Sequence, residues 1–183
     1  MPKLRRDRAL YLDLEMTCWE GAPPEGMYPE IIQVGVVEIN TEDLVITRKA
    51  SYYVRPEHST VSEYCTTLTG ITQRHVDRQG FPFYEVYASI ANKFGVTTKA
   101  CFTWGDDKKA IDQAMAVDGL VHRFHFIDLS MLFALEMGIE KSHSLTAALY
   151  LMGLSFVGRA HNALVDAENT AELHMAMMRR TRT

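Results

Sequence analysis

Two acids inside a short apolar segment constrain the fold of this chain more than any other feature. The segment, residues 11–19 (YLDLEMTCW), predicts a β-strand. Side chains alternate along a strand, so Asp13 and Glu15 project from one face while Leu12 and Leu14 project from the other. Neighbouring carboxylates raise each other's pKa unless a positive charge lies between them, and a hard divalent cation is the usual partner. The alternative interpretation is an exposed edge strand whose two acids are solvated.

Length and composition predict one globular domain covering residues 1–183, with residues 1–8 expected to form a flexible basic N-terminus. Hydrophobic residues make up 47% of the chain and charged residues 23%, which is ordinary for a globular protein. No apolar stretch approaches the roughly 18 residues that a membrane helix requires, so we expect no membrane partner. The cysteines at 18, 65 and 101 are odd in number and widely spaced, which favours free thiols in the cytoplasm over a disulfide framework or a zinc site.

The formal net charge of −4 argues against a protein that binds nucleic acid through bulk positive charge. It does not exclude a nuclease. Acids that bind metal ions contribute negative charge that the ions offset, so the charge of the whole chain understates how a metal-loaded cleft attracts phosphate.

Hydrophobic patterns along the chain predict a mixed α/β fold. Apolar runs at 31–39 and 44–54 could complete an antiparallel meander with the first strand, and shorter strands are expected at 100–104 and 124–127. Helices are expected at 62–68, 72–76, 83–94, 106–117, 129–137, 144–152 and 163–179. Their expected caps are Thr72 for the second helix and Ser142 or Ser144 for the sixth. The predicted inward stripe of the last helix comprises Leu164, Ala167, Ala171, His174 and Met178.

Residues at three further places in the chain could join the two acids of the first strand. Asp106 and Asp107 follow a predicted strand and open a helix, where acids are also common simply because they stabilise a helix N-terminus. His161 and Asp166 are five residues apart, which separates them by about 140° on an ideal helix. They can act together only if His161 lies in the loop before the last helix, and the Gly and Asn residues nearby favour such a loop. The alternative is an ordinary surface histidine.

In chain order, these acids and this histidine resemble the DEDDh family of 3′–5′ exonucleases, most closely the branch that contains the histone-mRNA 3′ exonuclease and the sporulation inhibitor KapD. The resemblance covers nearly the whole chain. It rests on residues 12–18 with 20–21 and 23–24, and on residues 29–33, 53–56, 68–72, 103–105, 158–161 and 166–167. It implies a ribonuclease H-like fold, in which a mixed five-stranded sheet is flanked by helices.

One position departs from the family pattern. The family's third acid usually follows Trp-Gly with two residues between, whereas here Asp106 and Asp107 follow at once and Lys108 occupies the usual place. A one-residue deletion would explain this. Asp107 is the better candidate, because Ile111 then matches the apolar position four residues after the family's acid. Asp106 remains open, and if neither acid reaches the metal ions the protein would be impaired.

The resemblance also implies a site and a substrate. Asp13, Glu15, Asp107 and Asp166 would hold two Mg²⁺ or Mn²⁺ ions, and His161 would act as general base. The expected substrate is the 3′ end of single-stranded RNA, with DNA left open, and the oligomeric state is open between monomer and homodimer. The residues expected to contact the terminal nucleotide are Met16, Thr17, Cys18, Trp19, Leu68, Thr69, Gly70 and Ile71. For Met16, Trp19 and Leu68, the alternative is a place in the core.

Two other functions are compatible with the same residues. A phosphodiesterase that cleaves only very short oligonucleotides would use the same chemistry, and the length dependence of cleavage would distinguish it. A relative without catalytic activity that binds RNA ends or a protein partner is the alternative outside enzymes, and the irregular third acid favours it.

Overall fold

A five-stranded mixed sheet, in the order β3-β2-β1-β4-β5, forms the centre of the molecule. The structure is a computed structural model that describes residues 3–140 and 143–181. The strands are β1 (Arg8–Met16), β2 (Ile31–Asn40), β3 (Val45–Tyr53), β4 (Ala100–Thr103) and β5 (His125–Asp128). The first three pair antiparallel, as the sequence predicts, and β4 and β5 are parallel to β1. The strand with the two acids is therefore central, and the edge-strand interpretation is wrong.

Helices cover both faces of this sheet. They are α1 (Glu63–Thr69), α2 (Gln73–Gln79), α3 (Phe83–Phe94), α4 (Asp107–Val117), α5 (Leu129–Met137), α6 (Leu145–Leu151) and α7 (Ala163–Thr181), with a 3₁₀ turn at Val96–Thr98. Thr72 caps α2 by accepting from the His75 N–H at 3.2 Å, and Ser144 caps α6 by accepting from the Ala147 N–H at 3.2 Å. Ser142, the other candidate cap, lies outside the described residues. Across the described ranges, none of the helices has the length and apolar character needed to span a membrane.

The alternation of side chains along β1 divides the core into two layers. Leu10, Leu12 and Leu14 pack on the face covered by α3 and α4. Tyr11 is buried on the opposite face, which α5, α6 and α7 cover. Asp13 and Glu15 continue the Tyr11 face toward the carboxyl end of β1, so both acids face the layer that contains α7.

The inward face of α7 differs from the predicted stripe. Ala167 and Ala171 are buried as expected, but three of the five predicted residues, Leu164, His174 and Met178, are only partly buried. Fully buried positions of α7 include Ala163, Leu173, Met175 and Met177 instead. The predicted stripe was too narrow, because α7 packs against both the sheet and α6 and therefore buries a wider face.

His174 is a core residue paired with the first strand. Its Nδ1 lies 2.8 Å from the Tyr11 hydroxyl, and its ring packs edge-on against Phe102. Burial lowers the pKa of His174 to about 4, so the imidazole is neutral at physiological pH.

A buried ion network lies at the opposite end of β1 from the two acids. Glu38 faces Leu10 across the β1–β2 pair, and the Glu38 carboxylate accepts from Lys99 at 2.6 Å and from Arg48 at 2.8 Å. Burial opposes ionisation, but the hydrogen bonds from Arg48, Lys99 and Thr47 lower the pKa of Glu38 to about 2. Each charge of the Glu38–Lys99 pair is thereby compensated inside the protein.

The backbone of the N-terminal segment contacts the rest of the chain. The Arg5 N–H donates to the Thr98 carbonyl at 2.7 Å, and the Asp7 carbonyl accepts from the Thr41 N–H at 3.1 Å. The expected flexibility of residues 1–8 stays a prediction.

Candidate active site

Three carboxylates from distant parts of the chain meet at the carboxyl end of β1. Asp13, Glu15 and Asp166 each place an oxygen within 4.8 Å of the others. Glu15 is only 7% exposed. The strand positions two of the acids and the first turns of α7 supply the third, as the sequence predicts.

Gly35 allows α7 to approach the sheet closely enough for Asp166 to reach Asp13. Gly35 is the partner of Asp13 across the β1–β2 pair. A Cβ on Gly35 would lie 2.1 Å from the carbonyl oxygen of Ala163, the first residue of α7. Backbone therefore packs directly on backbone at this point, which only glycine permits.

Gln33 fixes the start of α7 in the same place. Its side-chain oxygen accepts from the Ala163 N–H at 3.0 Å, and its side-chain amide donates to the Ser51 hydroxyl at 3.0 Å. Sequence reasoning assigned no role to Gly35 or Gln33. The available signal was a glycine and an amide within an otherwise apolar strand, since a glycine inside a strand often marks a close backbone approach.

Asp166 also takes part in the cap of its own helix. Its Oδ2 accepts from the Asn162 N–H at 3.0 Å, while the Asn162 side chain accepts from the Val165 N–H at 3.3 Å. Burial raises the pKa of Asp166, although the hydrogen bond from Asn162 and the charge of His161 partly offset that effect. The Asp166 side chain is thus held by the backbone rather than left free to rotate.

His161 lies in the loop before α7, as the spacing of His161 and Asp166 requires. It is exposed and has a positive φ of 59°, a left-handed conformation that is uncommon for a residue with a side chain. Its backbone and its ring both act on Asp166 electrostatically. His161 therefore lies in the loop that precedes Asp166, and its role as general base stays a prediction.

Asp107 contributes a buried oxygen without a partner. Its Oδ2 makes no hydrogen bond to any part of the chain that the structure describes. Burial, together with the charges of Asp106 and Asp128, raises the pKa of Asp107 to about 7. Asp106 precedes α4 and is exposed, and its side chain makes no capping hydrogen bond. Asp107 rather than Asp106 therefore has the environment of a ligand. Asp107 also lies in the first turn of α4, where a negative charge is favoured, but that position does not account for its buried oxygen without a partner.

The four carboxyl groups form one electrostatic unit, although Asp107 lies outside the group of three with oxygens within 4.8 Å. Burial raises the pKa of Asp13 well above its ordinary value, and the charges of Asp107, Asp166 and Glu15 raise it further. Burial, with Asp166 and Asp107, raises the pKa of Glu15 to about 8. Carboxylate oxygens are the donors that hard divalent cations prefer. Such a cation would pair the unpartnered Asp107 oxygen and relieve the repulsion, so these residues fit a divalent metal site.

The residues expected to contact a terminal nucleotide differ in exposure. The side chains of Thr17, Thr69 and Ile71 are buried, and the Thr17 and Thr69 hydroxyls are used in internal hydrogen bonds. These three can approach a substrate only through backbone groups. Those with partly exposed side chains are Met16, Cys18, Trp19 and Leu68, while Gly70 ends α1 with a φ of 78°. Their contact with substrate stays a prediction.

A mixed five-stranded sheet, with acids from β1, α4 and α7 and a histidine in the loop before α7, is the arrangement of the DEDDh family with its ribonuclease H-like fold. The chain belongs to the exonuclease family, since the family described as Exonuclease (RNase_T) matches residues 10–174. The similarity to the KapD branch stays a prediction.

Known relatives and structures agree with this assignment. The 3′-5′ exoribonuclease 1 of Mus musculus is 32% identical over 187 residues, which cover 94% of this chain and 53% of that protein. The nuclease domain of 3′hExo, a DEDDh family member solved bound to rAMP, aligns with a TM-score of 0.87 and 30% identity over 95% of this chain and 92% of that domain. A structure of the specific recognition of the histone mRNA stem-loop 3′ end by a 3′-exonuclease aligns with a TM-score of 0.84 and 31% identity, covering 97% of this chain and 65% of that one. This chain spans about half the length of the mouse exoribonuclease.

Proposed function

We propose that this protein is a 3′–5′ exonuclease that hydrolyses phosphodiester bonds from the 3′ end of single-stranded nucleic acid, preferably RNA, and releases nucleoside 5′-monophosphates. The observation that carries the proposal is the cluster of Asp13, Glu15 and Asp166, with oxygens within 4.8 Å of one another beside the unpartnered Asp107 carboxyl. The names of the relatives, which are exoribonucleases, support RNA as the substrate class.

Asp13, Glu15, Asp107 and Asp166 would hold the metal, and we propose two ions of Mg²⁺ or Mn²⁺. When bound, such ions neutralise the charge of the phosphate and favour both the attacking hydroxide and the leaving oxygen. The hydrogen bond from Asn162 holds the carboxylate of Asp166 in place for this role. The buried position of Glu15 keeps it from rotating into solvent.

His161 would accept the proton of the attacking water. Histidine is the side chain that most often serves as a general base in enzymes. Its exposed position in a loop leaves the ring free to approach the water and then to pass the proton to solvent. In this proposal the fixed acids bind the metal ions, and the exposed histidine transfers the proton.

The terminal nucleotide would lie against the half-buried side chains of Met16, Trp19 and Leu68, with backbone groups of Thr17 and Gly70 near its sugar. The solved 3′hExo nuclease domain was bound to rAMP, a ribonucleotide. On this basis we propose that the protein prefers RNA to DNA as its substrate. We also propose a cytoplasmic location from the three free cysteines, and leave monomer and homodimer open.

A labelled-oligonucleotide assay tests the function. With Mn²⁺ or Mg²⁺, a 5′-labelled single-stranded RNA should be shortened one nucleotide at a time, more slowly or not at all when the matched DNA replaces it. Asp13→Ala should abolish shortening, and Glu136→Gln, which removes an exposed acid of α5, should not. Binding of RNA without metal-dependent shortening would overturn catalysis in favour of an RNA-end-binding module. Cleavage restricted to very short oligonucleotides would favour the phosphodiesterase alternative.

The third acid can be tested separately. Asp107→Asn should reduce Mn²⁺ binding, measured by calorimetry, and reduce activity by at least about a hundredfold, the scale expected when a metal ligand or its close support is lost. Asp106→Asn should leave both within about threefold of wild type, because Asp106 is exposed and lacks a capping contact. The reverse order of effects would assign the role to Asp106.

A further inference from the structure

The loop that carries His161 is anchored at its start by a buried amide. We define the histidine loop as residues 157–162. The Asn169 side chain accepts from the Val157 N–H at 2.9 Å and donates to the Val157 carbonyl at 2.9 Å, and Asn169 is buried. A third hydrogen bond, to the Val165 carbonyl at 2.8 Å, ties the same amide to α7. The histidine loop is therefore fixed to its own helix at its first residue.

The end of the histidine loop is fixed as well. Asn162 donates to Asp166, as described above, so the loop is held at both ends by α7. Between these ends, Gly158 and His161 have positive φ values of 97° and 59°. Two left-handed residues within four positions give the loop a tight, defined path.

Arg159 connects the middle of the histidine loop to a different element. Its guanidinium Nη2 donates to the Thr67 carbonyl at 3.1 Å and to the Leu68 carbonyl at 3.3 Å, at the C-terminal end of α1. A positive charge is favoured there, because the last carbonyls of a helix carry partial negative charge. Gly70, which follows α1, leaves space for the guanidinium, because a Cβ on Gly70 would lie 2.6 Å from Nη1 of Arg159.

The Arg159 contact joins the loop that carries the proposed general base to the end of α1, where Leu68 is expected to contact the terminal nucleotide. Arg159 lies two residues before His161, and its acceptor Leu68 borders the proposed position of the terminal base. We propose that Arg159 is a positioning residue, which holds the histidine loop against α1 so that the general base and the terminal-nucleotide pocket keep one fixed spacing. This inference rests on the proposed function.

The exposure of the contact distinguishes this role from a structural one. Arg159 and Thr67 are exposed, and hydrogen bonds at an exposed site contribute little to folding. The hydrogen bonds of Val157 to the buried Asn169 and of Asn162 to Asp166 already hold the loop to α7. Loss of the Arg159 contact should therefore misplace His161 without unfolding the protein, and a small misplacement is sufficient to slow a reaction strongly.

A double-mutant cycle tests the proposal on the full chain with Mn²⁺ and single-stranded RNA. Arg159→Ala should lower kcat about tenfold, and Arg159→Lys, which keeps a positive charge and N–H donors on a side chain of different shape, should recover part of that loss. In the His161→Asn background, Arg159→Ala should cause no further loss, because the residue acts through His161. Arg123→Ala, a change of an exposed arginine outside the site, is the matched control.

Each contrary outcome overturns a specific part of the inference. An unchanged kcat in Arg159→Ala, with active wild type, would remove Arg159 from positioning. An equal fold loss in both backgrounds would show that Arg159 does not act through His161. A fall in Tm of about 5 °C or more in both Arg159 variants would make the residue structural, since that corresponds to more than about 1 kcal/mol for a chain of this size. An inactive wild type would instead refute the proposed exonuclease function itself.

Discussion

Neutralising Glu15 should make the metal-free protein more stable while it abolishes activity. Burial and the charges of Asp166 and Asp107 raise the pKa of Glu15 from its ordinary value of 4.5 to about 8. The folded state therefore holds a proton that the unfolded chain releases. Ionising Glu15 in the folded protein destabilises it, an effect absent below about pH 4.5 and complete above about pH 8.

The structure gives an upper limit for this effect. A rise in pKa from 4.5 to about 8 corresponds to at most about 5 kcal/mol, at 1.36 kcal/mol for each pH unit. The neighbouring acids share the repulsion, so we expect Glu15→Gln to raise the free energy of unfolding by about 2–3 kcal/mol at pH near 8. For a domain of this size, that is an increase in Tm of about 4–12 °C.

Thermal unfolding in EDTA, followed from acidic to mildly alkaline pH, measures this difference. Glu15→Gln and wild type should unfold at the same temperature near pH 4 and diverge as the pH rises. Added Mn²⁺ should raise the Tm of wild type more than that of the variant, because a ligand that binds only the folded state stabilises it. Glu136→Gln removes an exposed acid and should change neither curve. Equal Tm values at alkaline pH, or a difference independent of pH, would refute the reasoning.

Two substitutions away from the ligands test the supports of the site and the fold. Gly35→Ala should destabilise the protein by about 3 kcal/mol and weaken Mn²⁺ binding in calorimetry, because the new Cβ would lie 2.1 Å from the Ala163 carbonyl oxygen. Gly21→Ala is the control: a Cβ at Gly21 would meet no atom within 4 Å, so stability and Mn²⁺ binding should stay unchanged. Lys99→Met should cost about 2–3 kcal/mol in urea unfolding at neutral pH, because it leaves Glu38 buried with one cation fewer. Wild type should lose the stability due to Glu38 as the pH falls from about 4.5 toward 2, since the pKa of Glu38 is lowered to about 2 in the folded protein.

The sequence predicted the elements that depend on local pattern. Hydrophobic periodicity placed α3 and α5 with their observed bounds and four of the five strands within one residue, because each element buries a continuous apolar face. The first strand, β1, begins and ends three residues before the predicted segment 11–19. The two acids of β1 were recognisable because carboxylates are unexpected within a buried apolar strand. The spacing of His161 and Asp166 placed the histidine in a loop, because helical geometry excludes any other shared position.

The supports of the site could not be predicted in the same way. Gln33 and Gly35 act on a helix that begins about 130 residues later, and no local pattern states which backbone will approach a strand. The wide buried face of α7 was also missed, because the number of neighbours around a helix is a property of the tertiary fold. The exposed Arg159 gives no sequence signal for its contact with α1, since an arginine in a loop is ordinary.

The acidic cluster also explains why its supports are so extensive. Each of the four carboxyl groups has a raised pKa, so without a cation the site opposes folding rather than assisting it. Such a cluster persists only if other contacts over-determine the positions of β1 and α7. The backbone contact at Gly35 and the cap from Gln33 do this for the helix, and the buried amide of Asn169 holds the loop that precedes the helix. Because these contacts are made without the acids, the site is held in place before a metal binds. Metal binding then relieves the repulsion between the carboxylates, and none of the binding free energy is needed to fold the site.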